Sequence, residues 1–165
     1  MRSLLRLVCR GLVAVSLVAG CPVLPSWAQQ PVPPAVSFEK SSLVIDTGGG
    51  PLTFEVELAL TPDQQQRGLM FRQKLGAKEG MLFDFGSPQP LSFWMANTLI
   101  PLDMLFIDGD GKIVRIHTNA EPLSTRAITS GVPARAVLEI NGGASRLLGI
   151  KPGDVVRHAV FGNAK

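Results

Sequence analysis

Between residues 52 and 60 apolar and polar side chains alternate without a break. Leu52, Phe54, Val56, Leu58 and Leu60 fall on one side, and Thr53, Glu55 and Glu57 on the other. Successive side chains of an extended strand point to opposite faces, so this segment reads as a strand with one face in a core and one in water. A single strand cannot close a core, and the flanking sequence supplies its neighbours. Residues 37–46 read as a strand before it, joined through the turn Thr47-Gly48-Gly49-Gly50-Pro51. Further strands are predicted at 80–85, 92–95, 102–108, 136–140 and 155–161, separated by Gly- and Pro-containing connections, with residues 121–134 as a polar loop.

Two short helices interrupt the strands. Thr61-Pro62-Asp63-Gln64 places a threonine cap before a proline at the first helical position, with glutamine three residues after the cap. That is a helix-start signature, and Gly68 ends the helix. Residues 144–148 form a second helical turn. Lys151-Pro152-Gly153-Asp154 has its proline and glycine placed for a type II turn. About seven or eight short strands and one or two short helices make a mainly β chain, a compact antiparallel β-sandwich or barrel-like domain.

With Asp110-Gly111 as a two-residue turn, one hairpin register follows. Ile107 faces Val114, Leu105 faces Ile116 and Asp103 faces Thr118, while Phe106 meets Arg115 and Met104 meets His117 on the other side. A slip of one residue would scatter the apolar row.

The N-terminus carries a different signal. Arg2, Arg6 and Arg10 precede a short apolar run from Leu12 to Cys21, the pattern of a secretory leader, too short to remain as a membrane span. Pro22, Pro25 and Ser26-Trp27-Ala28 then fit cleavage after Ala28. Val18-Ala19-Gly20-Cys21 is the alternative, a lipobox that would leave an acylated Cys21 at the N-terminus. The expected organisation is a signal peptide over 1–28, a flexible Pro/Gln lead-in over 29–35 and a single β-rich domain over 36–165. The product is expected to be exported, periplasmic or extracellular, with no transmembrane segment in the mature chain.

Removing the leader changes the charge. Three of the 16 Lys and Arg residues leave with it while all 13 Asp and Glu residues stay, so the exported chain is close to neutral. Nucleic acid is therefore not an expected partner, because phosphate binding needs clustered surplus cations. Cys9 and Cys21 also lie in the leader, which leaves the domain without a disulfide, a thiol nucleophile or a thiolate metal site.

Arg67-Gly68-Leu69-Met70-Phe71-Arg72, Gly80-Met81-Leu82-Phe83, Phe93-Trp94-Met95-Ala96-Asn97-Thr98 and Ile100-Pro101-Leu102-Asp103 form a distinctive set. Together with Val137-Leu138-Glu139-Ile140-Asn141-Gly142-Gly143 and the Gly153-Asp154 turn, it resembles the domain of unknown function 192 family across nearly the whole domain. The resemblance implies a compact, mostly β fold and no established activity. Ala136 departs from it, standing where that pattern leads one to expect an aromatic.

Candidate site residues follow from chemistry. Asp103 ends an otherwise apolar row, and a carboxylate there needs a partner or a route to water. Arg67 and Arg72, held just after the short helix, are the obvious cations, and Asn97 and Thr98 can donate hydrogen bonds. The group Arg67, Arg72, Asn97, Asp103 and Glu139 could recognise a small polar ligand or an envelope component, or could be a structural ion pair. Asp103 with Glu139 could instead serve as the acid/base pair of a glycan hydrolase. Trp94 reads as a core anchor, with an exposed ligand platform as the alternative. Met70, Met81, Met95 and Met104, with His117 opposite Met104, raise a periplasmic copper site. No cofactor is expected. Asp108-Gly109-Asp110-Gly111 lacks the ligand spacing of a calcium loop, and there is no phosphate loop or Gly-x-Ser-x-Gly elbow. The expectation is an exported binding or accessory module rather than an enzyme.

Overall fold

A computed structural model describes residues 36–164. The expected signal peptide, its two processing sites and the lead-in over 29–35 lie outside the described residues. The alternating segment is strand β2 (Gly50–Ala59), paired antiparallel with β1 (Glu39–Thr47) through the predicted glycine turn. Phe54, Val56 and Leu58 are buried, as the alternation requires, but Leu60 is exposed because the strand ends at Ala59 and the chain turns away. Helix α1 (Pro62–Arg67) follows with its capping box intact: the Thr61 hydroxyl accepts from the Gln64 N–H, and the Gln64 side chain accepts from the Thr61 N–H.

α1 and the segment 68–78 carry the chain across to β3 (Glu79–Phe93), which pairs parallel with β2. This is a correction to a wholly antiparallel sheet. A parallel neighbour requires a crossover, and α1 with the loop after it supplies one. The two strands expected at 80–85 and 92–95 are one long β3, bent by register shifts between Asp84 and Gln89 and between Pro90 and Ser92. Its partner β6 (Ile128–Asn141) likewise begins inside the segment read as a polar loop. Pro88, Pro90 and Pro133 masked both extensions in the sequence, since proline cannot donate to a ladder and is tolerated only at edges and bulges.

Strands β4 (Leu102–Ile107) and β5 (Ile113–Ala120) form the predicted hairpin, with Leu105 opposite Ile116, Phe106 opposite Arg115 and Met104 opposite His117. The turn itself differs. Asp108 accepts through its side chain from the N–H groups of Asp110 and Lys112, which widens the loop and pairs Ile107 with Ile113 instead of Val114. A second irregularity displaces Asp103 from Thr118. After α2 (Ala144–Leu147) and the Lys151–Asp154 turn, the expected last strand divides into β7 (Val155–Arg157) and a 3-10 turn, Ala159–Phe161. Gly153 has φ +98° and the Asp154 N–H reaches the Lys151 carbonyl at 3.1 Å, which suits the predicted turn type.

The seven strands form one sheet in the order β5-β4-β6-β3-β2-β1-β7. Lys112, just before β5, bridges Val155 in β7, so the two ends of the order meet and the sheet curls into a half-barrel. The mainly β, barrel-like reading is therefore borne out. Inside the curl lie Leu43, Phe54, Leu82, Leu105, Leu138 and Val156. The other face of the central strands is buried as well, under segments 68–78, 94–101 and 121–127, with Leu69, Met81, Phe83, Met95, Met104 and Phe106 as its core. β4 is therefore buried at every position, which is why it reads as an unbroken apolar run interrupted only by Asp103.

Candidate binding site

Asp103 has no cation beside it. It is fully buried, and neutral donors saturate its carboxylate. Oδ1 accepts from the N–H groups of Asn119 and Gly143, both at 2.8 Å, and Oδ2 accepts from the Ser145 N–H at 2.8 Å and the Ser145 hydroxyl at 2.5 Å. The expected ion pair with Arg67 or Arg72 is thus corrected. Arg72 pairs with Glu57, and the Arg67 guanidinium lies over the Phe71 ring at 4.9 Å. Asp103 is a structural knot that ties the end of β5 to the Gly143–Ser145 turn.

Glu139 lies on the opposite face. Along β6, Ile140 is paired with Asp103 and Glu139 with Met104, and adjacent strand positions point to opposite sides. The two carboxyls therefore cannot flank one glycosidic bond, and the acid/base pair read from the sequence is corrected on that ground. Across the sheet, one row on one face runs His117, Met104, Glu139, Met81, Glu57 and Lys40. Glu139 is only 5% exposed and makes no hydrogen bond or ion pair among the described residues. Burial among apolar neighbours pushes its carboxyl up to about 8, so it carries its proton at neutral pH. The nearest register neighbours, Met81 and Met104, offer it no oxygen or nitrogen.

Three segments cover this face, and backbone hydrogen bonds tie them together. The Phe71 N–H reaches the Asn97 carbonyl at 2.8 Å, the Leu123 N–H reaches the Thr98 carbonyl at 3.0 Å, and the Met95 N–H reaches the Ser124 carbonyl at 2.9 Å. Phe71, Asn97 and Leu123 all have φ near +60°. That region is ordinary for asparagine but strained for a bulky side chain, and such strain concentrates at functional sites. The side chains are nonetheless outside: Phe71 is 53%, Trp94 58% and Leu123 60% exposed. Trp94 is thus no core anchor. Phe93 and Met95 take the inward positions, which leaves the residue between them pointing out. Of the six residues singled out by sequence, the structure places Arg72, Trp94 and Asn97 in this covering layer, Arg67 at the end of α1 against Phe71, and Glu139 beneath the layer. Asp103 belongs to the other face.

A second feature had no sequence signal. An open groove of about 620 Å³ runs between segment 75–78 and the turn into α2, with Lys78, Asn119, Asn141 and Arg146 among its walls and Leu75 and Leu147 among its apolar surface. These residues are ordinary one by one, and the pairing of β4 with both β5 and β6, together with the Asp103 knot, gathers them. Among the described residues no group of three or more His, Cys, Asp or Glu side chains is placed to hold a metal ion. No described helix is long and apolar enough to cross a membrane.

Residues 43–158 match the family described as Uncharacterized ACR, the domain of unknown function 192 family. The chain belongs to that family. The domain of unknown function 192 pattern read from the sequence is borne out by this match. A Sinorhizobium meliloti protein provisionally described as a transcription regulator is 45% identical, with a TM-score of 0.74 over 76% of this chain and 98% of that one. A Novosphingobium aromaticivorans protein of unknown function is 41% identical, with a TM-score of 0.73 over 78% of this chain and 91% of that one. No curated protein matches this family member.

Proposed function

We propose that the protein is an exported, non-enzymatic binding module of the cell envelope that holds a small polar ligand on the Glu139 face. The observation that carries this reading is Glu139 itself, a carboxyl only 5% exposed that burial keeps protonated, beneath a layer that bears Arg72, Trp94 and Asn97. A ligand acceptor could receive a hydrogen bond from this neutral acid. Trp94 and Phe71 supply exposed flat apolar surface on the covering layer. The separation of Asp103 and Glu139 onto opposite faces supports the non-enzymatic part of the reading, and the near-neutral exported chain argues against extending the regulator description of the Sinorhizobium protein to it. Thermal-shift titration of the protein with neutral sugars, amides and amino acids tests this. A ligand that raises the melting temperature of the wild type but not of Glu139→Gln or Trp94→Ala is the expected result. A ligand that stabilises Glu139→Gln equally well would place binding elsewhere.

The row of Met104, Glu139 and Met81, ending at His117, favours a second reading as a soft-metal site for monovalent copper, whose preferred ligands are thioethers. Silver(I) titration of the wild type against Met81→Leu and Met104→Leu distinguishes it, since stoichiometric binding should vanish in both variants.

A further inference from the structure

Glu139 does not line the groove beside α2. Lys78 and Arg146 line it, and no Asp or Glu does. Neither cation has an acidic partner among the described residues, and Lys78 rests with its ammonium 5.0 Å from the Phe54 ring centroid. The Asn119 amide is held facing the turn, close to Gly142 and Gly143, and it donates to nothing among the described residues. Among its charged side chains the groove therefore presents positive charge only. The rest of its surface is apolar and includes Leu147, which at 85% exposure is the most exposed of the large apolar side chains. An isolated leucine in water is unremarkable, but one at the mouth of a concave apolar surface marks a place for an apolar body.

The walls are also fixed in advance. Asp103 holds the backbone of Asn119, Gly143 and Ser145 from beneath. Gly142 leaves no room for a side chain, because a Cβ there would meet the Pro101 Cβ at 2.9 Å and the Asn119 Oδ1 at 3.0 Å. Gly143 has φ +80°, which favours glycine. A groove shaped by a buried carboxylate and two obligatory glycines loses little freedom when a ligand enters.

We propose that this groove binds a single-chain anionic amphiphile, a long-chain carboxylate whose head group is met by Lys78 and Arg146 and whose chain lies along Leu75 and Leu147. Charge complementarity selects the anion, and the apolar surface selects the chain. A purely polar anion would leave Leu75 and Leu147 in water, and a neutral lipid would leave the cations unused.

Isothermal titration of the protein with laurate, below its micelle concentration, reads the affinity directly. Dodecanol and dodecyltrimethylammonium test the head group. Laurate should bind, and both analogues should bind at least tenfold more weakly. Arg146→Glu and Leu147→Ser should each weaken laurate by about tenfold without moving the melting temperature, since both side chains are exposed. Arg126→Glu, on the covering layer of the other face, should leave the affinity unchanged. Equal binding of dodecanol, or wild-type affinity in both Arg146→Glu and Leu147→Ser, would overturn the proposal. So would concentration-dependent dimerisation abolished by Leu147→Ser in a protein that ignores laurate, because the groove would then be an interface between copies.

Discussion

Replacing Asp103 by alanine should be among the most damaging single changes in the domain, although no charge pair is broken. The carboxylate is fully buried and satisfies three backbone N–H groups and one hydroxyl, at Asn119, Gly143 and Ser145. Alanine strands all three N–H groups, and each buried donor left without a partner costs about 1–3 kcal/mol. A loss of about 3–6 kcal/mol follows rather than the full sum of about 9, because the N–H groups of Asn119 and Gly143 are only part-buried and water can reach them. That is a large part of the 5–15 kcal/mol typical of a small domain. Asparagine keeps one acceptor oxygen for Asn119 and Gly143 but turns an NH2 toward the Ser145 N–H. It should lose about 2–3 kcal/mol, with the Ser145 hydroxyl rotating to accept. Ser145→Ala removes only the hydroxyl and should cost about 1 kcal/mol. Urea unfolding followed by far-ultraviolet circular dichroism measures all three. An alanine variant within about 1 kcal/mol of wild type, or an asparagine variant worse than alanine, would refute the reasoning.

Glu139 should make stability fall as pH rises. Its carboxyl is raised from an ordinary value of 4.5 to about 8 by burial, so through that window the unfolded chain is ionised while the folded protein keeps its proton. The resulting loss is on the order of 4 kcal/mol by pH 8, and a flat urea-midpoint profile for Glu139→Gln beside a falling one for wild type checks it. His158 acts at the other end. Burial lowers its pKa, and its Nδ1 accepts from the Val160 N–H while Nε2 meets the Ser41 hydroxyl. Stability should therefore drop below about pH 6.5, a slope that calorimetry should find missing in His158→Gln. Gly80→Ala should cost about 1–3 kcal/mol or more, because a Cβ there would sit 2.6 Å from the Glu139 carbonyl oxygen; an unchanged melting temperature would count against the close approach of β3 and β6. Leu123→Gly should stabilise by about 0.5–1 kcal/mol by releasing a φ of +63° at an exposed side chain; a destabilised variant in urea unfolding would argue against strain there.

Much of this domain was legible locally. The β2 alternation, the Thr61 capping box and the central pairs of the β4–β5 hairpin depend on neighbours in sequence or on one turn, and the structure carries them as read. What failed were features that a local reading assigns to loops. Pro88, Pro90 and Pro133 disguised the extended ends of β3 and β6, and the side chain of Asp108 enlarged a turn that its glycines alone made look tighter. The site residues divided in the same way. Asp103 was correctly singled out as a carboxylate in an apolar row, but its partners are backbone N–H groups that have no side-chain signature. Trp94 was misplaced because alternation between Phe93 and Met95 fixes that neighbours oppose each other without fixing which one faces inward.

The sequence by itself determined the strand-rich class, the helix start and family membership, because periodicity, capping and motif spacing act over a few residues and survive without the rest of the fold. Only the tertiary structure decided that Asp103 and Glu139 stand on opposite faces, that β2 and β3 run parallel, and that Lys78 and Arg146 share a groove. Those facts depend on which strand lies beside which, and strand order is settled by burying both faces of the sheet at once. That is a property of the assembled core, which no single segment encodes.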